Sequence, residues 1–128
     1  MSNRQIICTD KAPRAIGSYS QAVKAGTTVY ISGQIPLVPE TMEMDSGDFR
    51  ALARRCFENL KAVAEAARGS LADAAKITIY LTDLGNFPEV SDVMAEYFNE
   101  PYPARATIGV KALPKGAPVE IEAILELR

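Results

Sequence analysis

The sequence predicts an α+β domain in which two helices cover one face of a mixed sheet. Three observations carry this. Segments with period-two alternation and high β-propensity, such as TTVYIS (27–32) and VEIEAILEL (119–127), surround two segments whose apolar residues recur at three and four. The order reads strands, helix, strand, helix, two strands, which is most economically closed as two layers. Of the 128 residues 48% are apolar, enough in a chain of ordinary domain size to build one core. Residues 1–128 read as a single domain with no repeat, low-complexity segment or linker.

Each element has its own signal. SYSQAV (18–23) and TTVYIS meet across a Lys24-Ala25-Gly26-Thr27 turn as a hairpin. GQIPLVPETMEM (33–44) is a proline-rich excursion. In the first helix Phe49, Leu52, Cys56, Leu60, Val63 and Ala67 form one apolar stripe, with Arg50, Arg54 and Arg55 on the solvated side. Asp45 and Ser46 precede it as caps and Gly69 follows as its stop. Ser70-Leu71-Ala72-Asp73 fits a capping box on a short turn, and KITIYLTDL (76–84) alternates as a strand. A second helix begins near Asn86, has Pro88 in its first turn, and buries Val90, Val93, Met94, Tyr97 and Phe98. ARATIGVKAL (104–113) and VEIEAILEL are the last two strands, joined through PKGAP (114–118) as a hairpin.

The last strand has two unlike faces. Val119, Ile121, Ala123, Leu125 and Leu127 are wholly apolar and belong under the helices. Glu120, Glu122, Ile124 and Glu126 form the other face, expected beside Arg105, Thr107 and Lys111 of the preceding strand. That mixed face is either an ordinary wet surface or a subunit interface containing polar sites, and composition alone weighs toward the wet surface. A turn centred between Lys115 and Gly116 sets Lys111 opposite Glu120 and Arg105 opposite Glu126. Arg105 and Glu120 then lie on the same side, roughly 20 Å apart at about 3.3 Å per residue. They cannot share a small substrate within one chain, and cross-strand ion pairs account for both. In the first hairpin a turn centred between Ala25 and Gly26 puts Tyr19 directly opposite Ser32. Gly33 lies just beyond, where a missing side chain lets a ligand approach the backbone amide. A strand-end hydrogen bond and a turn glycine account for the same residues, and the pattern alone weighs toward that.

Composition excludes several functions. The net charge of −2 gives no nucleic-acid footprint. MSNRQIICTD (1–10) lacks the apolar run of a signal peptide, and no segment is apolar enough to span a membrane. Two cysteines, Cys8 and Cys56, in no paired motif suit a reducing cytoplasm. Histidine is absent, which removes Ser-His-Asp and Cys-His mechanisms and any histidine-built metal site. No GxxxxGK[ST] or GxGxxG run holds a nucleotide. Catalysis is left to carboxylates, Arg, Lys, Tyr, Ser, Thr, backbone groups or water. Within PARATIGV (103–110) an arginine opens an otherwise small and apolar strand, which calls for water or an anion at its guanidinium.

Six blocks in order and spacing give these weak signals a context: APRAIGSYSQAV, ISGQIPLVPET, FENLKAVAEAA, ITIYLTDLGNFPEV, YPARATIGV and LPKGAPVEIEAI. Together they resemble the RidA/YjgF family of enamine/imine deaminases over essentially the whole chain. The resemblance implies a two-layer α+β fold of the chorismate-mutase-like type, a ferredoxin-like variant, assembled as a homotrimer with clefts between subunits. It implies hydrolysis of 2-aminoacrylate and related enamines or imines to 2-keto acids and ammonia, with no metal or organic cofactor. By carry-over Arg105 holds the substrate carboxylate and Glu120 positions and activates water. Tyr19, Ser32, the Gly33 amide and Thr107 complete the site. The separation of Arg105 from Glu120 then implies that each cleft takes them from neighbouring subunits.

Some positions depart from the family pattern. Thr107 stands where cysteine is common, Ser18 where proline is usual, Arg68 where a helix-ending glycine is usual and Met42 where a turn glycine is usual. Leu125 follows EAI where alanine is frequent. Thr107 and Ser18 border the site and bear on substrate choice and rate. Two rival readings are a non-catalytic protein that binds a 2-keto acid, and a ribonuclease or translation inhibitor. A binder needs no water-activating carboxylate, and an acidic, histidine-free chain suits a ribonuclease poorly.

Overall fold

The computed structural model describes residues 3–128. Its strands are β1 (Arg4–Ile7), β2 (Ala22–Ala25), β3 (Thr28–Gln34), β4 (Ala74–Leu81), β5 (Ala104–Gly109) and β6 (Val119–Glu126); its helices are α1 (Phe49–Ala66) and α2 (Phe87–Met94). The strands form one mixed sheet in the order β1-β2-β3-β6-β4-β5, with only β4 and β5 parallel neighbours. The helices pack on one face, so the chain is the expected two-layer α+β fold. No helix among the described residues is long and apolar enough to cross a membrane.

The apolar patterning builds the core as expected. Val119, Ile121, Ala123 and Leu125 of β6 are buried with Ile77, Ile79 and Leu81 of β4 against Cys56, Leu60 and Val63 of α1. The helical stripe is wider than the expected one, since Ala53, Phe57, Asn59 and Ala64 are buried too. Phe57 stacks on Tyr97 with ring centroids 5.2 Å apart and meets Phe98 edge-on at 6.0 Å. Tyr97 and Phe98 therefore belong to the core from beyond the end of α2. The Ser70 capping box is present, and α2 begins after Asn86 with Pro88 in its first turn.

Caps and turns differ in detail. Asp48, not Asp45 or Ser46, caps α1 by accepting from the Ala51 amide at 3.0 Å. Asp45 instead accepts from Arg55 at 3.0 Å, and that bond holds its carboxyl below the usual 3.8. Gly69 is not the residue that turns the chain out of α1. Arg68 takes the left-handed conformation at φ 66°, and the Gly69 amide donates back to the Ala64 carbonyl. Arg50 and Arg54 are not simply solvated, since they pair with Asp92 and Glu96 at 3.0 and 2.9 Å. Strand β1 has no expectation behind it; it is a four-residue edge strand, mostly exposed.

The largest difference concerns the last two strands. They do not form a hairpin. The α2 crossover returns β5 parallel to β4, and β6 then enters antiparallel between β3 and β4. Nine residues, 110–118, separate β5 from β6, a span that a tight hairpin does not need. The inferred ion pairs Arg105–Glu126 and Lys111–Glu120 are accordingly not made. Glu126 accepts instead from the Thr27 and Thr28 hydroxyls.

Candidate functional site

Register decides where each candidate side chain points. Glu120 pairs with Tyr80 and Ile121 with Ile79, so Glu120 lies on the sheet face away from the helices. Arg105 pairs with the buried Ile77, and Thr107 with the buried Ile79, so both point to the helix side. Arg105 and Glu120 are therefore on opposite faces, not on the same one. Two strand spacings and a three-residue offset put their Cα atoms about 14 Å apart, shorter than the hairpin implies. Opposite faces still keep both from one small molecule within one chain.

Glu120 lies in a cavity of about 460 Å³ that also takes in Tyr19, Ser32 and Gly33. Four of the expected residues thus meet in one place. The walls add Ile16, Ile35, Leu37 and Met42, and the rim adds Arg14 and Lys115. Tyr19 and Ser32 do not face each other as a strand pair, because β2 begins only at Ala22 and pairs it with Ile31. The hairpin turn is centred one residue later than expected, between Gly26 and Thr27, with Gly26 at φ 62°. The Ser32 hydroxyl donates to the Ser20 carbonyl at 2.6 Å, and the Ser32 amide to the Gln21 carbonyl at 2.9 Å. Tyr19 is about half exposed, and its phenol oxygen accepts from the Ile16 amide at 3.4 Å.

A bulge in β3 shapes this cavity. Ile31 pairs with Ala123, but Gln34 pairs with Ile121, so Ser32 and Gly33 together oppose Glu122 alone. The Glu120 carboxylate lies over Gly33. A Cβ on Gly33 would come within 2.0 Å of Glu120 Oε2 and 2.9 Å of its Cδ. Burial raises the Glu120 carboxyl above its ordinary 4.5, and the neighbouring Glu122 adds to the rise. Tyr80 donates to Glu122 at 2.8 Å, which with burial pushes the phenol up.

Arg105 borders a second cavity of about 500 Å³ with Ser91, Met94, Tyr102 and Pro103. Its Nη1 donates to Ser91 Oγ at 3.1 Å, and its guanidinium carbon is 5.0 Å from the centre of the Phe87 ring. The opening PARATIGV arginine thus stays at the exposed edge of the sheet. Thr107 Oγ1, two residues on and on the same side, is buried without a hydrogen-bond partner. Among the described residues no group of three or more His, Cys, Asp or Glu could hold a metal ion. Cys8 and Cys56 are both free, and burial pushes the Cys56 thiol up, as befits a packed side chain.

Sequence reasoning missed the supporting residues. Gln21 is buried and its amide donates to the Thr9, Ala12 and Pro13 carbonyls, which ties residues 9–13 to the cavity. Asn59 Nδ2 donates to the Leu37 carbonyl at 3.0 Å and steadies the proline-rich excursion behind the same cavity. A polar residue amid an apolar helical stripe was the one available signal for Asn59.

The comparisons with known proteins agree with this fold. A family model described as Endoribonuclease L-PSP matches residues 9–127. The chain is 49% identical over 125 residues to a 2-iminobutanoate/2-iminopropanoate deaminase of Dermatophagoides farinae, covering 98% of each chain. Among solved structures, RidA from an Antarctic Psychrobacter bacterium is 57% identical with a TM-score of 0.93, over 96% of this chain and 99% of that one. E. coli TdcF with bound serine is 42% identical with a TM-score of 0.91, over 97% and 99% respectively.

Proposed function

The chain belongs to the Endoribonuclease L-PSP family, that of RidA, and from that premise we propose that it hydrolyses small 2-enamine and 2-imine acids to 2-keto acids and ammonia. The observation that carries this is a pair of complementary half-sites on opposite faces of one sheet. One supplies a carboxylate, Glu120, beside the Tyr19 and Ser32 hydroxyls; the other supplies the Arg105 guanidinium. A relative named for imine deamination and a TdcF structure holding serine support a ligand with a carboxylate next to a nitrogen-bearing carbon.

In the proposed assembly three copies close in a ring, and each cleft takes Arg105 and Thr107 from one subunit and the Glu120 cavity from its neighbour. The planar guanidinium holds the substrate carboxylate by two parallel bonds. Glu120 takes a proton from water as the water oxygen bonds to the iminium carbon. It returns that proton to nitrogen. The carbon–nitrogen bond then breaks as the carbinol oxygen forms the carbonyl and gives its remaining proton to the Glu120 carboxylate. Ammonia leaves with a 2-keto acid behind, and the carboxylate passes the proton to water or the departing ammonia. The electrophile is already activated, so positioning supplies most of the rate. The proposed compartment is the cytoplasm, which keeps both free thiols reduced.

The test uses two variants in one mixture. Arg105→Ala and Glu120→Gln proteins should each be inactive in ammonia release from imines generated in situ by an amino-acid oxidase. Unfolded together in equal amounts and refolded, they regain activity, because roughly a quarter of the clefts in a randomly assembled cyclic trimer then pair intact Arg105 with intact Glu120. No recovery from demonstrably mixed oligomers counts against the shared cleft.

A further inference from the structure

We propose that Gly33 is a positioning residue that seats the Glu120 carboxylate, its missing Cβ being the space the carboxylate occupies. This rests on the reading of Glu120 as the water-activating group. The bulge makes the arrangement possible. Ile31 and Gln34 are both buried and pair with β6 residues of the core face, so Ser32 and Gly33 share the turn toward the cavity. Without the extra residue, strict alternation sends Gly33 to the helix side.

The three atoms nearest to a Cβ on Gly33 all belong to Glu120: Oε2 at 2.0 Å, Cδ at 2.9 Å and Cγ at 3.1 Å. No backbone atom is among them. Gly33 is also not one of the residues in the left-handed region, so its backbone does not itself demand glycine. A methyl group there leaves the fold a route to relax, because the end of a rotatable side chain swings away. What it removes is the seat over Gly33 from which Glu120 is proposed to reach the attacking water. The glycine thus acts through the carboxylate, in addition to any contact its amide makes with a ligand.

The experiment is Gly33→Ala, read by kinetics, by binding of pyruvate and by crystallography. The expected result is a fall in kcat of about tenfold to a hundredfold, the scale of an ångström of misplacement. Pyruvate binding stays within about threefold, since Arg105 holds the carboxylate, and the acid limb of the pH–rate profile moves as Glu120 leaves its half-buried seat. Glu120→Asp draws the carboxylate back by about 1.5 Å, one carbon–carbon bond. It should cost much less in the Gly33→Ala background than in the wild type. Wild-type kcat in Gly33→Ala, or losses that simply multiply in the double variant, would overturn the proposal.

If Gly33→Ala fails to fold, the double variant Gly33→Ala/Glu120→Ala should recover a wild-type melting temperature, because the side chain nearest to the methyl group is then cut back. An unfolded double variant sinks the seat. Normal turnover by Glu120→Gln sinks the catalytic reading of Glu120 instead, and a crystal structure of Gly33→Ala still decides the seat. A displaced carboxylate supports it, and an unmoved one overturns it.

Discussion

Glu120 is the residue at which structure adds most to chemistry. It faces Glu122 on its own strand, Tyr80 across the sheet and Gly33 on the other side, with Arg14 and Lys115 at the cavity rim. Burial and the Glu122 charge both favour its protonated form, so its carboxyl titrates above 4.5. A base must be ionised, so turnover is expected to rise with pH through a midpoint above that value. Glu122→Gln removes the charge but keeps an acceptor for Tyr80, and the midpoint should move down. Glu120→Gln should retain pyruvate binding by calorimetry and lose at least about a hundredfold in turnover, the ordinary worth of a positioned acid–base group. Unaltered turnover would favour the binding-module reading.

The end of α1 shows how an element selects residues one position away from where a pattern points. The sequence has glycine at 69, and a terminating glycine is the natural reading. The helix instead leaves through Arg68 at φ 66°, a position where a side chain costs roughly 1–2 kcal/mol and glycine does not. Gly69 is needed for another reason. A Cβ there would lie 2.6 Å from Leu127 Cδ2 and 3.0 Å from Asp73 Oδ2. Arg68→Gly should therefore stabilise the protein by up to about 1 kcal/mol, part of the relief being offset by glycine's freedom in the unfolded chain. Gly69→Ala should destabilise it by about 1–3 kcal/mol through overpacking. Urea melts of both variants check the pair, and the opposite order would contradict the assignment.

For the whole molecule the open sheet face is the feature that assembly has to explain. Tyr30 and Ile108 stand 51% and 44% exposed there, in a sheet whose other face is covered by helices. A small domain gains by covering such apolar surface. Light scattering at micromolar concentration is expected to report a trimer. Replacing Ile108 with aspartate should lower the assembly state and the activity together, since each proposed cleft needs two subunits. A stable monomer with full activity would remove both the ring and the shared site.

Much of this molecule was legible before any coordinates. The two helices, the Ser70 capping box, Pro88 in the first turn of α2 and the apolar face of β6 all follow from local periodicity and capping chemistry, which act within a few residues. Tyr19, Ser32, Gly33 and Glu120 could be gathered as candidates because their blocks resemble a family, and the fold brings those four into one cavity. Alternation, however, says only which residues of a strand share a face. It does not name the neighbouring strand, because pairing is decided by contacts distant in sequence. That is why β5 and β6 read as a hairpin while the structure inserts β4 between them. It is also why Arg105 proved to face the helices, and why the bulge that turns Gly33 beneath the Glu120 carboxylate had no local signature. Tertiary structure alone decided the spacing of the two half-sites, since it alone sets the order of the strands and the register between them.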